Sequence, residues 1–243
     1  MRSIHIIMPM AGEGSRFATA GWTTPKPLIP LERKPLFLHA IDSVKIPGIN
    51  LKYSFIVRQE HIDKYNLDKD IKAILPDANI FSVLKTTRGA VETCLMAQSA
   101  ISPDDAVIVM DCDLEFSSNQ FNTLIKSALE QSPTEAKGGA LVSFESDSPK
   151  YSYAEIDVNG RVIRTAEKEV ISNHALCGAY FFSSAKEFLE KANELVNAPM
   201  EKPELYVSLL YNKLLADGSP VFLAPLDHYR SFGTPEELAL YNS

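Results

Sequence analysis

Cysteine is scarce in this chain. Cys94, Cys112 and Cys177 are the only three among 243 residues, and their wide spacing matches neither a zinc ligand set nor a redox pair. They read as reduced thiols. Positive charge is also short: 24 Lys and Arg stand against 31 Asp and Glu, giving a net charge of −7. That balance argues against a broad nucleic-acid-binding face, although a local basic pocket would still hold a small anion. No apolar run approaches the ~18–20 residues a membrane span requires. The opening "IHIIMPM" is too short for a signal peptide and runs straight into glycines, so it reads as a buried first strand and the protein is expected to be cytoplasmic. There is no repeat, low-complexity stretch or charge block. What remains is 45% hydrophobic and 23% charged, an ordinary globular composition with enough length for a sizeable core.

Short β-rich runs alternate with helix-forming stretches through the first half. "IHIIM" (4–8), "YSFIV" (53–57), "NIFSVL" (79–84), "AVIVM" (106–110) and "GGALVSFES" (138–146) predict strands, and 36–45, 60–74, 89–100 and 118–131 predict helices. That alternation implies βαβ units and a mostly parallel sheet covered on both faces. After about residue 150 the pattern changes. "YSYAEID", "VNG" and "RVIRTAE" predict a hairpin turning at Asn159-Gly160. A strand at 177–183, helices at 184–196 and 206–216, and a last short helix capped by Thr234 complete the reading. The chain is expected to form one domain over 1–243, with an α/β nucleotide-binding half (1–145) continuous with a mixed half (146–243) that completes a cleft.

Three segments carry chemistry. The first, "MPMAGEGSRFATAGWTTPKPLIPL", follows the first strand, and in an open parallel sheet ligands bind outside the strands' carboxyl ends. Gly12 and Gly14 would expose backbone N–H groups to phosphate oxygens, Arg16 would grip them with a planar fork, and Lys26 stands on a tether stiffened by Pro25 and Pro27. Taken alone, the glycines fit a tight turn equally well. The segment lacks the spacing and terminal Gly-Lys-Ser/Thr of a P-loop, which disfavours ATPase chemistry. The second segment, "VIVMDCDLEF", places Asp111 and Asp113 together at a strand's end. Mg²⁺ binds through one or two carboxylates plus substrate phosphates, and Asp113 is the stronger candidate; Cys112 reads as packing. The third, "AEKEVISNHALCGAYFF", ends a strand at Glu167 and Lys168, which on their own would read as solvated charges. His174 reads as a loop or packing residue.

In order, "AGEGSRF", "PKPL", "RGAVETCLMA", "DCD", "EK" before "SNHALCGAYFF", and "SFGTPEEL" resemble the sugar-phosphate nucleotidylyltransferase family over residues 4 to about 240. The resemblance implies a Rossmann-like, glycosyltransferase-A-type α/β fold, a three-layer sandwich on a mixed, mostly parallel sheet. It implies a reaction joining a nucleoside triphosphate to a small phosphorylated acceptor such as a sugar 1-phosphate, with release of pyrophosphate and Mg²⁺ as cofactor. Ala11, Gly12, Glu13, Gly14, Ser15 and Arg16 would then bind the triphosphate, and Lys26 would bridge the reacting phosphates. Gly89 would let the base pack against backbone, Asp113 would hold the metal, and Asp111, Glu167, Lys168 and Gly178 would line the acceptor site. Arg16, Lys26 and Asp113 form the expected catalytic set. Nucleic acid and membrane are not expected partners. A homo-oligomer is left open: Tyr206 and Tyr211 would suit either a subunit contact or internal packing, and packing is the favoured reading.

The chain departs from the family pattern in three places. Ser231 stands where relatives carry a second metal aspartate, with Asp227 as a candidate substitute. Leu84 stands where a side chain often meets the base, leaving Arg88 as a neighbour that could contribute. Tyr151-Ser152 replaces Tyr-Gly. The leading expectation is an NDP-sugar synthesis serving surface-polysaccharide precursors. A CTP-dependent variant acting on a polyol or choline phosphate, a metal-dependent glycosyltransferase and a non-catalytic nucleotide sensor are the alternatives. "GEGSRF" with "PKPL" weighs against the glycosyltransferase, whose donor has no free triphosphate.

Overall fold

Runs of β-branched residues between amphipathic stretches carry the chain back and forth across one sheet. The computed structural model describes residues 2–199 and 203–241. Its first part contains β1 (Ile4–Met10), α1 (Ser15–Thr19), β2 (Pro30–Leu31), β3 (Lys34–Pro35), α2 (Leu36–Ser43), β4 (Leu51–Arg58), α3 (Gln59–Tyr65) and α4 (Leu67–Ile74). It continues through β5 (Asn79–Val83), α5 (Ala90–Leu95), β6 (Ala106–Met110), β7 (Leu114–Ser117), α6 (Asn119–Glu130) and β8 (Gly139–Glu145). Then follow β9 (Ser152–Ile156), β10 (Val162–Glu167), β11 (His174–Phe182), α7 (Ala185–Asn197), α8 (Leu210–Ala216), β12 (Val221–Pro225), β13 (His228–Ser231) and α9 (Pro235–Ala239).

Nine strands make one mixed sheet in the order β10-β9-β11-β6-β1-β4-β5, with β8 joining β11 and β12 joining β8. The central strands β6, β1, β4 and β5 run parallel, and β11 enters antiparallel beside β6. Alternation along the strands sorts the core into two layers. On one face, Ile4, Ile6, Met8 and Met10 of β1 pack with Phe37 and Ile41 of α2, Ile71 of α4, and Phe121 and Ile125 of α6. On the other, Ile7 of β1 and Val107 and Val109 of β6 meet Val91 and Cys94 of α5, Phe188 of α7 and Leu214 of α8. The result is the expected three-layer sandwich. Each fully buried side chain of this size contributes about 1.5–3 kcal/mol. All three cysteines are buried and unpaired.

Several predicted elements are interrupted. The helix read at 60–74 breaks at Asn66, which adopts φ 54° in the left-handed region that asparagine tolerates. The helix read at 89–100 stops after α5 and resumes as a 3₁₀ turn at Gln98–Ala100. The one read at 206–216 begins as a 3₁₀ turn over Val207–Leu209. The hairpin forms as β9 and β10. Its turn is pinned by the Asp157 carboxylate, which accepts the N–H groups of Asn159 and Arg161.

One structure was not anticipated. β13 pairs antiparallel with β7 outside the main sheet. A small cluster of Phe17, Ile29, Leu31, Leu36, Phe232 and Leu238 packs beside it. Through that cluster the last residues of the chain meet the loops that follow β1.

Candidate active site

The carboxyl ends of β1 and β6 carry the charged groups. Beyond β1, among the described residues, no protein acceptor takes the backbone N–H groups of Gly12, Glu13, Gly14 or Ser15. Unpaired N–H groups in a loop form an anion-binding concavity, which favours the phosphate reading over the tight turn. Gly14 then turns at φ 61° into α1. Lys26 sits in a 3₁₀ turn between two prolines and forms a short ion pair with the Asp113 carboxylate. Burial disfavours its charge, but Asp113, Cys112 and Asp111 outweigh that and hold its pKa above the ordinary value.

Asp111 and Asp113 line two cavities at once. One, of about 580 Å³, lies under the β1 loop and is lined by Gly12, Glu13, Gly14, Lys26, Trp22 and Arg58 among others. The other, of about 360 Å³, runs beneath β9–β11 past Arg16, Glu167, Gly178 and four tyrosines. The Asp111 carboxylate is open to solvent in the cleft, yet protein surrounds it at longer range. That low-dielectric surrounding raises its pKa to about 7, with Asp113 and Glu167 adding to the rise against Lys26. Gly178, at φ 95°, makes room for it: a β-carbon there would stand 2.5 Å from Asp111 Oδ2.

The sequence-derived residues separate into those that converge and those that do not. Gly12, Glu13 and Gly14 border the first cavity, Glu167 and Gly178 the second, and Lys26 meets Asp113 where the two join. Ala11 is buried, with its carbonyl facing Arg58. Ser15 and Arg16 open α1, and Arg16 faces the second cavity rather than the first. Gly89 is used differently from the expectation. The side where its β-carbon would stand is filled by the Leu205 backbone at 2.4 Å, so its bare Cα serves a chain crossing there. Lys168 turns away as well, donating to the Tyr206 hydroxyl at 2.9 Å. Arg88 is held by Glu92 at 2.9 Å. Tyr211 is buried as read, its hydroxyl donating to the Phe181 carbonyl. Tyr206 is not a core residue; it lines the cleft.

Asp227 is a correction. Its carboxylate accepts the Asn119 N–H at 2.8 Å, at the start of α6. The β13–β7 register puts His228 opposite Ser117 and Ser231 opposite Leu114. Asp227 therefore lies at the far end of that ribbon from Asp113, and it does not replace the missing aspartate.

Several residues that shape the site have roles that their sequence positions do not announce. Ser152, standing in place of glycine, donates a short hydrogen bond to Glu167, and Ser208 donates to the same oxygen at 2.8 Å. Glu237 of α9 accepts from Ser231 Oγ at 2.8 Å and from the Gly233 N–H at 2.9 Å, and it pairs with Lys150 at 2.8 Å. Its position, three residues after the Thr234 cap, is the acidic place of a capping box, so its spacing was visible but not its direction. Among the described residues no three His, Cys, Asp or Glu side chains converge as a metal cage. The oxygen donors at Asp113 suit Mg²⁺, which completes its shell with substrate phosphates.

At 24% identity the chain aligns with a Methanocaldococcus jannaschii protein named as a UTP–glucose-1-phosphate uridylyltransferase, covering 87% of this chain and 82% of that one. At 24% identity it also matches the Haloferax volcanii low-salt glycan biosynthesis nucleotidyltransferase Agl11, over 96% of this chain and 63% of that protein's length. The crystal structure of a nucleoside-diphosphate-sugar pyrophosphorylase from Vibrio cholerae RC9 superposes with a TM-score of 0.80 at 26% identity, covering 97% of this chain and 98% of that one. A UDP-glucose pyrophosphorylase complexed with UDP-glucose shares the fold, with a TM-score of 0.74 at 18% identity over 100% of this chain and 97% of that one. The model of the nucleotidyl transferase family matches residues 4–238, and the chain belongs to that family of enzymes.

Proposed function

We propose that the protein condenses a nucleoside triphosphate with a sugar 1-phosphate, giving an NDP-sugar and pyrophosphate for surface-glycan precursors. One observation carries this reading: two cavities, one under an N–H-lined loop and one under Glu167, share Asp111 and Asp113, and Lys26 of the first is paired with Asp113. The triphosphate would lie along Gly12–Gly14, and the acceptor under β9–β11. A phosphate monoester has a second pKa near ~6, so its oxygen is already anionic at neutral pH and needs no general base. That oxygen forms a bond to the α-phosphorus as the bond from the α-phosphorus to the bridging oxygen breaks. The electron pair leaves on pyrophosphate. Lys26, tethered between prolines, holds charge where the two anions meet, and Arg16 approaches from the acceptor side. Asp113 would hold Mg²⁺, which when bound supplies charge neutralisation on the phosphate oxygens.

Glu167 supports a second reading, the CTP-dependent transfer to choline phosphate. No cation pairs with its carboxylate among the described residues, and Tyr151, Tyr180, Tyr206 and Tyr229 border the same cleft. One of these rings already receives an ammonium, Lys150 over Tyr151 at 4.8 Å from the ring centre. A carboxylate with aromatic faces is the chemistry that recognises a quaternary ammonium.

Pyrophosphate release tests both, with four nucleoside triphosphates against sugar 1-phosphates, polyol phosphates and choline phosphate in Mg²⁺. Release is expected for one pair, and Lys26→Ala should lower kcat by about 10³-fold. Release from choline phosphate alone would select the second reading. No release from any pair would overturn both.

A further inference from the structure

The first cavity lies under a loop open to phosphate, yet its walls carry more carboxylates than cations. Glu13, Glu60, Asp111 and Asp113 line it, against Lys26 and Arg58. Lys26 is already paired with Asp113. His61 stands on the same wall, but burial and the neighbouring Arg58 lower its pKa, so it adds little charge at neutral pH. Arg58 is placed differently. It ends β4, whose Val57 lies opposite Met10 of β1, so its side chain leaves the sheet beside the start of the loop. Its Nη1 makes two long contacts, to the Ala11 carbonyl at 3.4 Å and to Thr86 Oγ1 at 3.3 Å. Nε and Nη2 meet no protein acceptor among the described residues, and Glu60 nearby is taken by Lys64 at 2.6 Å. A guanidinium with N–H groups to spare, next to a loop with N–H groups to spare, is the chemistry that holds phosphate oxygens. Arg16 borders the other cavity.

We propose that Arg58 is the guanidinium that grips the nucleotide's triphosphate, the task expected of Arg16. This rests on the nucleotidylyltransferase reading of the cleft. Lys26 is spent on Asp113 until a substrate or a metal ion competes for that carboxylate, so Arg58 is the positive charge that an incoming triphosphate meets first in this cavity. A purely structural Arg58 would only tie the β1 loop to Thr86. Glutamine at that position keeps an amide that can donate to the Ala11 carbonyl and to Thr86, but it lacks the charge. Arg58→Gln therefore removes the proposed role and spares the structural one.

Tripolyphosphate, which carries the nucleotide's phosphates without base or ribose, is the probe. Calorimetric titration of the full chain in Mg²⁺ gives its affinity, with thermal melts as folding controls. Trp22, the one tryptophan of the chain and part of the same cavity wall, reports by fluorescence that the probe is seated there. Arg58→Gln should weaken binding at least ~10-fold, and Arg16→Gln should leave it near the wild-type value. In steady state Arg58→Gln should raise the nucleotide KM and leave the acceptor KM unchanged. Wild-type affinity in folded Arg58→Gln, a larger loss in Arg16→Gln, or no tripolyphosphate binding by the wild type would each overturn the assignment. Pyrophosphate release by the wild type, measured separately, reports on the parent reading. Release alongside unaltered tripolyphosphate binding in Arg58→Gln condemns Arg58 alone. No release, with tripolyphosphate binding that depends on Arg58, condemns the proposed reaction and keeps the anion site.

Discussion

Individual side chains in the cleft trade stability for charge. The fold favours a protonated Asp111, because desolvation by the surrounding protein raises its carboxyl to about 7 from an ordinary 3.8. Between those values the native state holds a proton that the unfolded chain has released, so this group's contribution to stability falls as pH rises from about 4 to 7. Asp111→Asn should therefore melt higher than the wild type at pH 7.5, by roughly 2 °C. The gain should vanish near pH 4, and melting curves at both pH values check it. Ser152 makes a different trade. Its hydroxyl, with that of Ser208, fixes Glu167, so Ser152→Gly should raise the acceptor KM by about tenfold while leaving the nucleotide KM unchanged. An equal rise in both constants would show that Ser152 acts on the whole cleft rather than through Glu167.

Secondary-structure elements place those side chains, and the β13–β7 ribbon with α9 matters most. Phe232 is fully buried against Phe17, Ile29 and Leu36. Truncating it should cost about 3–5 kcal/mol and loosen the segment that carries Lys26. Phe232→Ala is thus expected to lower both the urea midpoint and kcat, whereas a fall in stability alone would separate the ribbon from the site. The parallel centre of the sheet was legible from sequence because strands buried on both faces read as continuous apolar runs. Asp113 and Lys26 were legible because their neighbours set them at a strand end or between prolines, whereas Gly178, inside β11, came only from the family resemblance. The ribbon was not. "LEFS" and "HYRS" are short, mixed in polarity and more than a hundred residues apart, so no local pattern announces their pairing. For the same reason Asp227 looked available when Asn119 already held it, and Glu237 looked like an ordinary cap. Gly89 misled differently, because a bare Cα announces a close approach but not what approaches.

At the scale of the whole molecule, pH acts through the core as well as through the cleft. His5 is fully buried, with Nε2 paired to Ser54 and Nδ1 without a hydrogen bond. Burial lowers its pKa, only partly offset by Asp105. The unfolded chain takes up a proton near pH 6.5 that the native state refuses, so stability is lost as pH falls below that value. Chemical denaturation at pH 7.5 and 5.5 should show the drop, and His5→Gln should flatten it. A drop of the same size in the variant would assign it to carboxylates instead.

The C-terminal ribbon also bears on the order of events during synthesis. Domains assemble as the chain emerges, N-terminal segments first. β1, β4, β5 and β6 can pair as soon as residue 110 is available, yet Gly233 and Glu237 reach the cleft only after β13 and α9 have been made. A nascent chain thus acquires its loop for phosphate long before it can close the place where two phosphates would be joined. Whatever chemistry the cleft performs therefore waits on β13 and α9, segments made well after the parallel strands can pair.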